Sequence, residues 1–254
     1  MSRRRHRGRT SPAHPRSAAQ PPPPQRLAAI DGLRGFALCL MVVYHFSFDL
    51  AWFRVLRADF NHDPFWLGYR GIVVTLFVSL VGVSLVLARR AHPGPGAFWR
   101  RVALIAACAM LVSGASYIAF PQTFITFGIL HCIAVSSILA RPLVDSPRLA
   151  LLTGIAIIAI GNTLRLPLFD TPWLHWVGMM THKPATEDYV PLLPWLGVVL
   201  LGVAAGHWLL ARETVAIAAL GRATPAWLAW LGRHSLLIYL VHQPLLVGIL
   251  RVVV

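Results

Sequence analysis

The sequence predicts an all-α protein, a polytopic membrane helical bundle of about seven spans with an eighth left open. Three observations lead there. Of 254 residues, 57% are hydrophobic and only 13% charged, whereas a soluble domain carries roughly a quarter charged residues. Several apolar runs approach ~20 residues, the length that crosses roughly 30 Å of hydrocarbon. The arginines gather in the N-terminal stretch and in short loops between those runs, as expected of cytoplasmic loops under the positive-inside rule.

Taken in order, residues 1–26 are basic and Pro-rich and read as a disordered cytoplasmic tail that cannot bury a core. They do not read as a signal peptide, because the apolar run that follows is too long for an h-region and no small-residue cleavage site comes after it. Residues 27–254 read as one membrane domain. Its first span is predicted from Ala28 to Phe53, followed by an outer loop holding Asp59, His62 and Asp63. The second span covers about Leu67 to Ala88, and the loop RRAHPGPGAFWRR after it, with four arginines around a Pro-Gly turn, is assigned to the cytoplasm. The third and fourth spans, Val102 to Ala119 and Phe124 to Ala140, are joined by the tight hairpin FPQT.

After the basic stretch Arg141 to Arg148, a fifth span runs to Leu166. The segment that follows has one lysine, three acids and tryptophans suited to an interface, which places it outside. A sixth span covers Val190 to Leu210 and the last covers His234 to Val253. Between them, the segment bounded by Arg212 and Arg233 is either an interfacial helix or a short extra span.

Composition also excludes classes. A net charge of +14 invites a nucleic-acid partner, yet seven of the 23 basic residues precede Leu27 and the rest fall mostly in loops, without interleaved aromatics. The charge therefore reads as a topology signal, with the lipid bilayer as the partner and the cytoplasmic membrane as the location, N-terminus inside. Cys39, Cys108 and Cys132 lie within apolar runs and read as packing residues. No HExxH, CxxC, Walker loop or Rossmann fingerprint occurs, so neither a metal nor a nucleotide fold is predicted.

The first span carries Asp31, Arg34, His45 and Asp49 inside an apolar run. At about 100° per residue Asp31 and Asp49 fall in line, and Arg34 and His45 lie within about 60° of that line. Ionisable groups at membrane depth need partners or water, and they mark function more often than packing glue. Arg34 and His45 are separated by roughly 16 Å along the axis. With the N-terminus inside, an anion entering from the cytoplasm meets Arg34 first. A carbonyl or hydroxyl lying deeper meets His45, whose other nitrogen Asp49, one turn on, is placed to hold.

The R-x10-H spacing within RLAAIDGLRGFALCLMVVYH resembles the first helix of the membrane acyltransferase superfamily that includes the acyltransferase-3 O-acyltransferases. The closer resemblance is to the heparan-α-glucosaminide N-acetyltransferase-like family, including its short bacterial members. It rests on DGLRG (31–35), YHFSFDL (44–50), DPFW (63–66), FVSLVGVSL (77–85), FGILHCIA (127–134), DYVPLLPWLGVVLLG (188–202) and WLGRHSLLIYLVHQP (230–244), in that order. The resemblance implies acyl transfer across the membrane, with acetyl-CoA donating from the cytoplasm and an amine or hydroxyl, commonly on a sugar, accepting on the far face. It also implies a catalytic histidine near the outer end of the first span. By spacing that residue is His45; by alignment to the family's first outer loop it falls near Asn61 and His62.

Further candidates follow from the same blocks. His131 and His242 are either packing histidines or substrate contacts. Asp188 and Tyr189 either line an acceptor mouth or anchor the interface, and Arg34 either contacts donor phosphates or holds Asp31. His207 reads as structural, Asn162 as interhelical glue, and Trp173, Trp176 and Trp195 as an interfacial belt. The leading expectation is thus an acetyltransferase acting on a glycan or cell-envelope acceptor. A transporter or flippase for an anionic or lipid-linked metabolite is the alternative, and a non-catalytic scaffold a third. Assembly as a homo-oligomer is left open.

Overall fold

The computed structural model describes residues 28–91, 94–211 and 215–254, and among these every regular element is helical. The predicted N-terminal tail and the centre of the Pro-Gly turn after the second span lie outside the described residues. The helices are α1 (Ala28–Trp52), α2 (Pro64–Ala91), α3 (Pro95–Ala119), α4 (Ile129–Ala140), α5 (Pro147–Thr163), α6 (Leu192–Ala211), α7 (Val215–Ala223), α8 (Ala226–Arg233) and α9 (Ser235–Val253). Five of them, α1, α2, α3, α6 and α9, are long and apolar enough to cross a membrane.

The predicted fourth and fifth spans are apolar but shorter. Helix α4 has 12 residues, about 18 Å at 1.5 Å per residue, and α5 has 17. The sequence expects helix from Phe124, yet α4 starts only at Ile129. The reason is local satisfaction of the backbone. Ser113 donates to the Ile125 carbonyl at 2.6 Å and Ser116 accepts from the Ile125 N–H at 3.0 Å. Glu187 and Val190 donate their N–H groups to the carbonyls of Thr123 and Phe127 at 2.9 and 3.3 Å. Non-helical backbone is tolerated at this depth when protein groups complete its hydrogen bonds.

The segment between Arg212 and Arg233 forms two helices, α7 and α8, of nine and eight residues, neither of which is long enough to cross. Helix α8 instead lies against the start of α1, backbone on backbone. A Cβ on Gly35 would collide with the Leu228 carbonyl, and one on Gly232 with that of Asp31. This contact gives the glycines of DGLRG and WLGRH a physical role. The start of α2 is similarly explicit: Asp63 accepts the Phe65 N–H at 2.8 Å as an N-cap, and Pro64 opens the helix where its missing N–H costs nothing.

The interior is centred on α2, α4 and α6, where Val78, Cys132, Val199 and Val203 are fully shielded. Between membrane helices such cores are held by close van der Waals packing. Cys108 is buried and Cys39 partly so, and all three cysteines are free. His207 bonds the Val144 carbonyl at 2.6 Å, tying α6 to the turn after α4. Two expectations are corrected. Asn162 donates to Ile158 of its own helix at 2.8 Å instead of bridging helices, because its amide reaches the carbonyl one turn back. Trp195 packs against the core, while Trp173 is 87% exposed as a belt residue should be.

Candidate active site

Helix α1 supplies a polar stripe whose ends meet different partners. At its N-terminal end Asp31 is buried, and Arg34 donates to it at 2.9 Å. The i, i+3 spacing puts the two side chains one above the other. Arg34 also donates to the Ser84 hydroxyl on α2. The guanidinium is thus braced between two helices, with the carboxylate balancing its charge.

Eleven positions on, His45 lies in the seam between α1 and α9, its ring 5.0 Å from that of His242 and inclined by 63°. His242 Nδ1 is 2.6 Å from the Tyr239 carbonyl, a pure acceptor, so Nδ1 carries the proton. That leaves Nε2 as a bare lone pair, buried and without a hydrogen-bond partner among the described residues. His242 therefore has the two features a general base requires, a fixed tautomer and an open nitrogen.

Asp49 corrects the sequence reading. It is buried as the stripe demands, but its Oδ1 accepts from Gln243 Nε2 at 2.7 Å on α9, and its Oδ2 has no partner among the described residues. Spacing brings Asp49 over His45, yet the amide of α9 fills the seam first. In this pair of histidines the orienting group is the Tyr239 carbonyl behind His242.

The Tyr44 ring meets that of His45 edge-on at 5.7 Å and belongs to an aromatic cluster. Tyr44 stacks on Tyr69 at 5.8 Å and meets Phe60 and Trp66 edge-on at 5.5 and 6.1 Å. Arg70 lies within charge range of the Tyr44 hydroxyl and of Asp188 and Lys183. Asp188 accepts the N–H of Ile129, the first residue of α4, at 3.1 Å. An anion there is favoured by the open N–H groups and the helix dipole. Burial still holds its carboxyl above the usual range, outweighing that bond and the attraction of Arg70 and Lys183.

Other candidates take structural places. His131 Nδ1 accepts the Gly128 N–H at 3.2 Å, and its Nε2 lies 3.4 Å from Ser113, so it staples the irregular turn to α3. Tyr189 donates to the His175 carbonyl at 2.7 Å, and burial pushes its hydroxyl up to about 12. It anchors the outer segment from within. His62 is 84% exposed and paired with Asp59 at 2.9 Å, outside the seam. Asp59 is held below its usual range by the Asn61 N–H and His62. His62→Ala is expected to leave turnover within about two-fold of wild type, as surface changes away from a site do; steady-state rates on purified protein check this.

Sequence reasoning passed over Arg70, Lys183, Gln243 and Ser84. Each carried a weak signal: a lone charge, amide or hydroxyl within or beside an apolar run, where an unpartnered polar group is costly.

Neither a curated protein nor a solved structure matches the chain. The family described as "Heparan-alpha-glucosaminide N-acetyltransferase, catalytic" matches residues 26–244, from just before α1 to Pro244 of α9. That stretch contains the braced arginine, the histidine seam and the Arg70–Asp188 group, and with most of its length matched the chain belongs to this family of membrane N-acetyltransferases.

Proposed function

We propose that the protein transfers an acetyl group from cytoplasmic acetyl-CoA to an amine or hydroxyl of a glycan or cell-envelope acceptor on the far side of the membrane. The observation that carries the reading is the pair of half-buried His45 and buried His242, with the open Nε2 of His242 in the α1–α9 seam. Arg34, braced by Asp31 and Ser84, suits the phosphates of the donor. The roughly 16 Å from Arg34 to His45 along α1 lets an extended donor reach the seam with its thioester.

The acceptor's lone pair attacks the thioester carbonyl carbon while His242 Nε2 takes the N–H or O–H proton. The carbon–sulfur bond breaks and the electron pair leaves on the CoA sulfur, which then takes up a proton. His45, against the His242 ring, is the group placed to hydrogen-bond the thioester carbonyl or to carry the acetyl group between donor and acceptor. The aromatic cluster of Tyr44, Phe60 and Trp66 beside His45 reduces the water that could hydrolyse the thioester.

Kinetics with Arg34→Lys tests the donor end. The substitution keeps the charge that balances Asp31 but removes the planar fork. KM for acetyl-CoA should rise roughly ten-fold with little change in kcat, the pattern of lost ground-state binding. A fall in kcat at unchanged KM would detach Arg34 from the donor.

A further inference from the structure

The segment bounded by Arg212 and Arg233 takes no part in the histidine seam. Helix α6 ends at Ala211 and α9 begins at Ser235, and both are long and apolar enough to cross the membrane. Helices α7 and α8 between them are too short to cross. The end of α6, the two short helices and the start of α9 therefore lie at one face of the bilayer. The start of α1 lies there with them, because α8 packs on it.

Helix α8 has two faces. One is packed against the protein: Ala229 and Gly232 are buried, and the backbone at Leu228 and Gly232 meets α1 at Gly35 and Asp31. The other is open. Trp227 and Trp230 are 60% and 50% exposed, and Ala226, Arg233 and His234 are exposed beside them. At 100° per residue these five positions fall within an arc of about 120°. His234 Nδ1 lies 2.9 Å from the Trp230 carbonyl and its ring 4.4 Å from the indole, so the imidazole is packed against that tryptophan.

Two indoles one turn apart, presented outward at the membrane surface, suit the headgroup layer, where an amphipathic ring finds both apolar and polar neighbours. A short helix with a basic, aromatic face lies in that layer and not across it. Charge selects the kind of lipid. The chain carries no Asp or Glu after Glu213. Arg222 at the end of α7 and Arg233 at the end of α8 are exposed and make no hydrogen bond or ion pair among the described residues. Of the carboxylates on this side, Asp31 is buried against Arg34 and Asp145 lies 3.2 Å from Arg89. Guanidinium groups with their donors open favour phosphate oxygens.

We propose that the open face of α8, with Arg222 and Arg233, docks on the headgroup of an anionic phospholipid in the leaflet where α6 ends and α9 begins. The same eight-residue helix then meets the lipid surface with its tryptophan face and the Asp31 carbonyl with its glycine face. This docking surface stands independently of the acetyl-transfer reading.

Native mass spectrometry of the full chain tests it. The protein is equilibrated in mixed detergent micelles with equal amounts of phosphatidylglycerol and phosphatidylcholine carrying the same chains, and the bound lipids are counted. Wild type should prefer phosphatidylglycerol by about thirty-fold, about five-fold for each of the two arginines at an anionic surface. Arg222→Gln with Arg233→Gln should abolish most of that preference. Arg90→Gln with Arg148→Gln removes the same charge from α2 and α5, which present no exposed tryptophan, and should change the preference little. Trp227→Ala with Trp230→Ala should weaken retention of both lipids and keep their ratio. Equal retention of the two lipids by wild type, equal loss in the two arginine pairs, or unchanged retention without the tryptophans overturns the surface. Displacement of the lipid by glycerol 3-phosphate at the same concentration would assign a soluble phosphate and overturn the lipid.

Discussion

Replacing His242 by alanine is expected to lower kcat by about 10²–10⁴-fold, the usual contribution of a positioned acid–base group. KM for acetyl-CoA should stay near the wild-type value. The split follows from the geometry. The Tyr239 carbonyl, 2.6 Å from Nδ1, fixes the tautomer and leaves Nε2 bare beside His45. Removing the ring removes the proton acceptor but nothing at the Arg34 end of α1. Donor binding measured by calorimetry alongside single-turnover rates checks both halves. A variant that turns over normally would exclude His242 as the base, and His45→Ala under the same conditions would show whether His45 takes that role.

Gly232→Val is expected to be the most destructive single change outside the seam. A Cβ at residue 232 would be driven into the backbone carbonyl of Asp31, and a rigid neighbouring helix cannot move aside as a flexible side chain would. The α1–α8 contact must open, and overpacking of this kind costs about 3 kcal/mol or more. For a chain of this size that corresponds to a fall in Tm of roughly 6–12 °C, read by thermal unfolding in detergent. The displacement also reaches the Asp31–Arg34 brace, so any folded fraction should show weakened acetyl-CoA affinity. Gly248→Val, at a glycine with open space around it, is the control and should leave Tm nearly unchanged.

Much of the fold is legible in the sequence because bilayer thickness and positive-inside topology act on composition and run length. The long apolar runs became α1, α2, α3, α6 and α9, and the shared face of Asp31 and Asp49, both buried, follows from helical periodicity. The Asp31–Arg34 pair is likewise a local, one-turn relation. What stayed hidden depends on contacts between distant segments. Nothing in the spacing of α1 says that Gln243 reaches Asp49 before His45 does, or that the ring beside His45 belongs to α9. The late start of α4 was hidden because its preceding residues satisfy their backbone with Ser113, Ser116 and the 187–190 stretch. Arg70 and Lys183 gave the sequence only isolated charges; their grouping with Asp188 arises where α2, the start of α4 and the outer segment converge.

Vectorial transfer in sealed proteoliposomes separates an acetyltransferase from a carrier. Acetyl-CoA labelled in the acetyl group is placed on the side of the arginine-rich loops, with glucosamine or a crude envelope-glycan extract on the other. Labelled acetyl should appear on the acceptor and free CoA thiol on the donor side, with both lost in His242→Ala. Intact acetyl-CoA crossing the bilayer, or a solute crossing with no thiol released, would contradict it and make the protein a transporter.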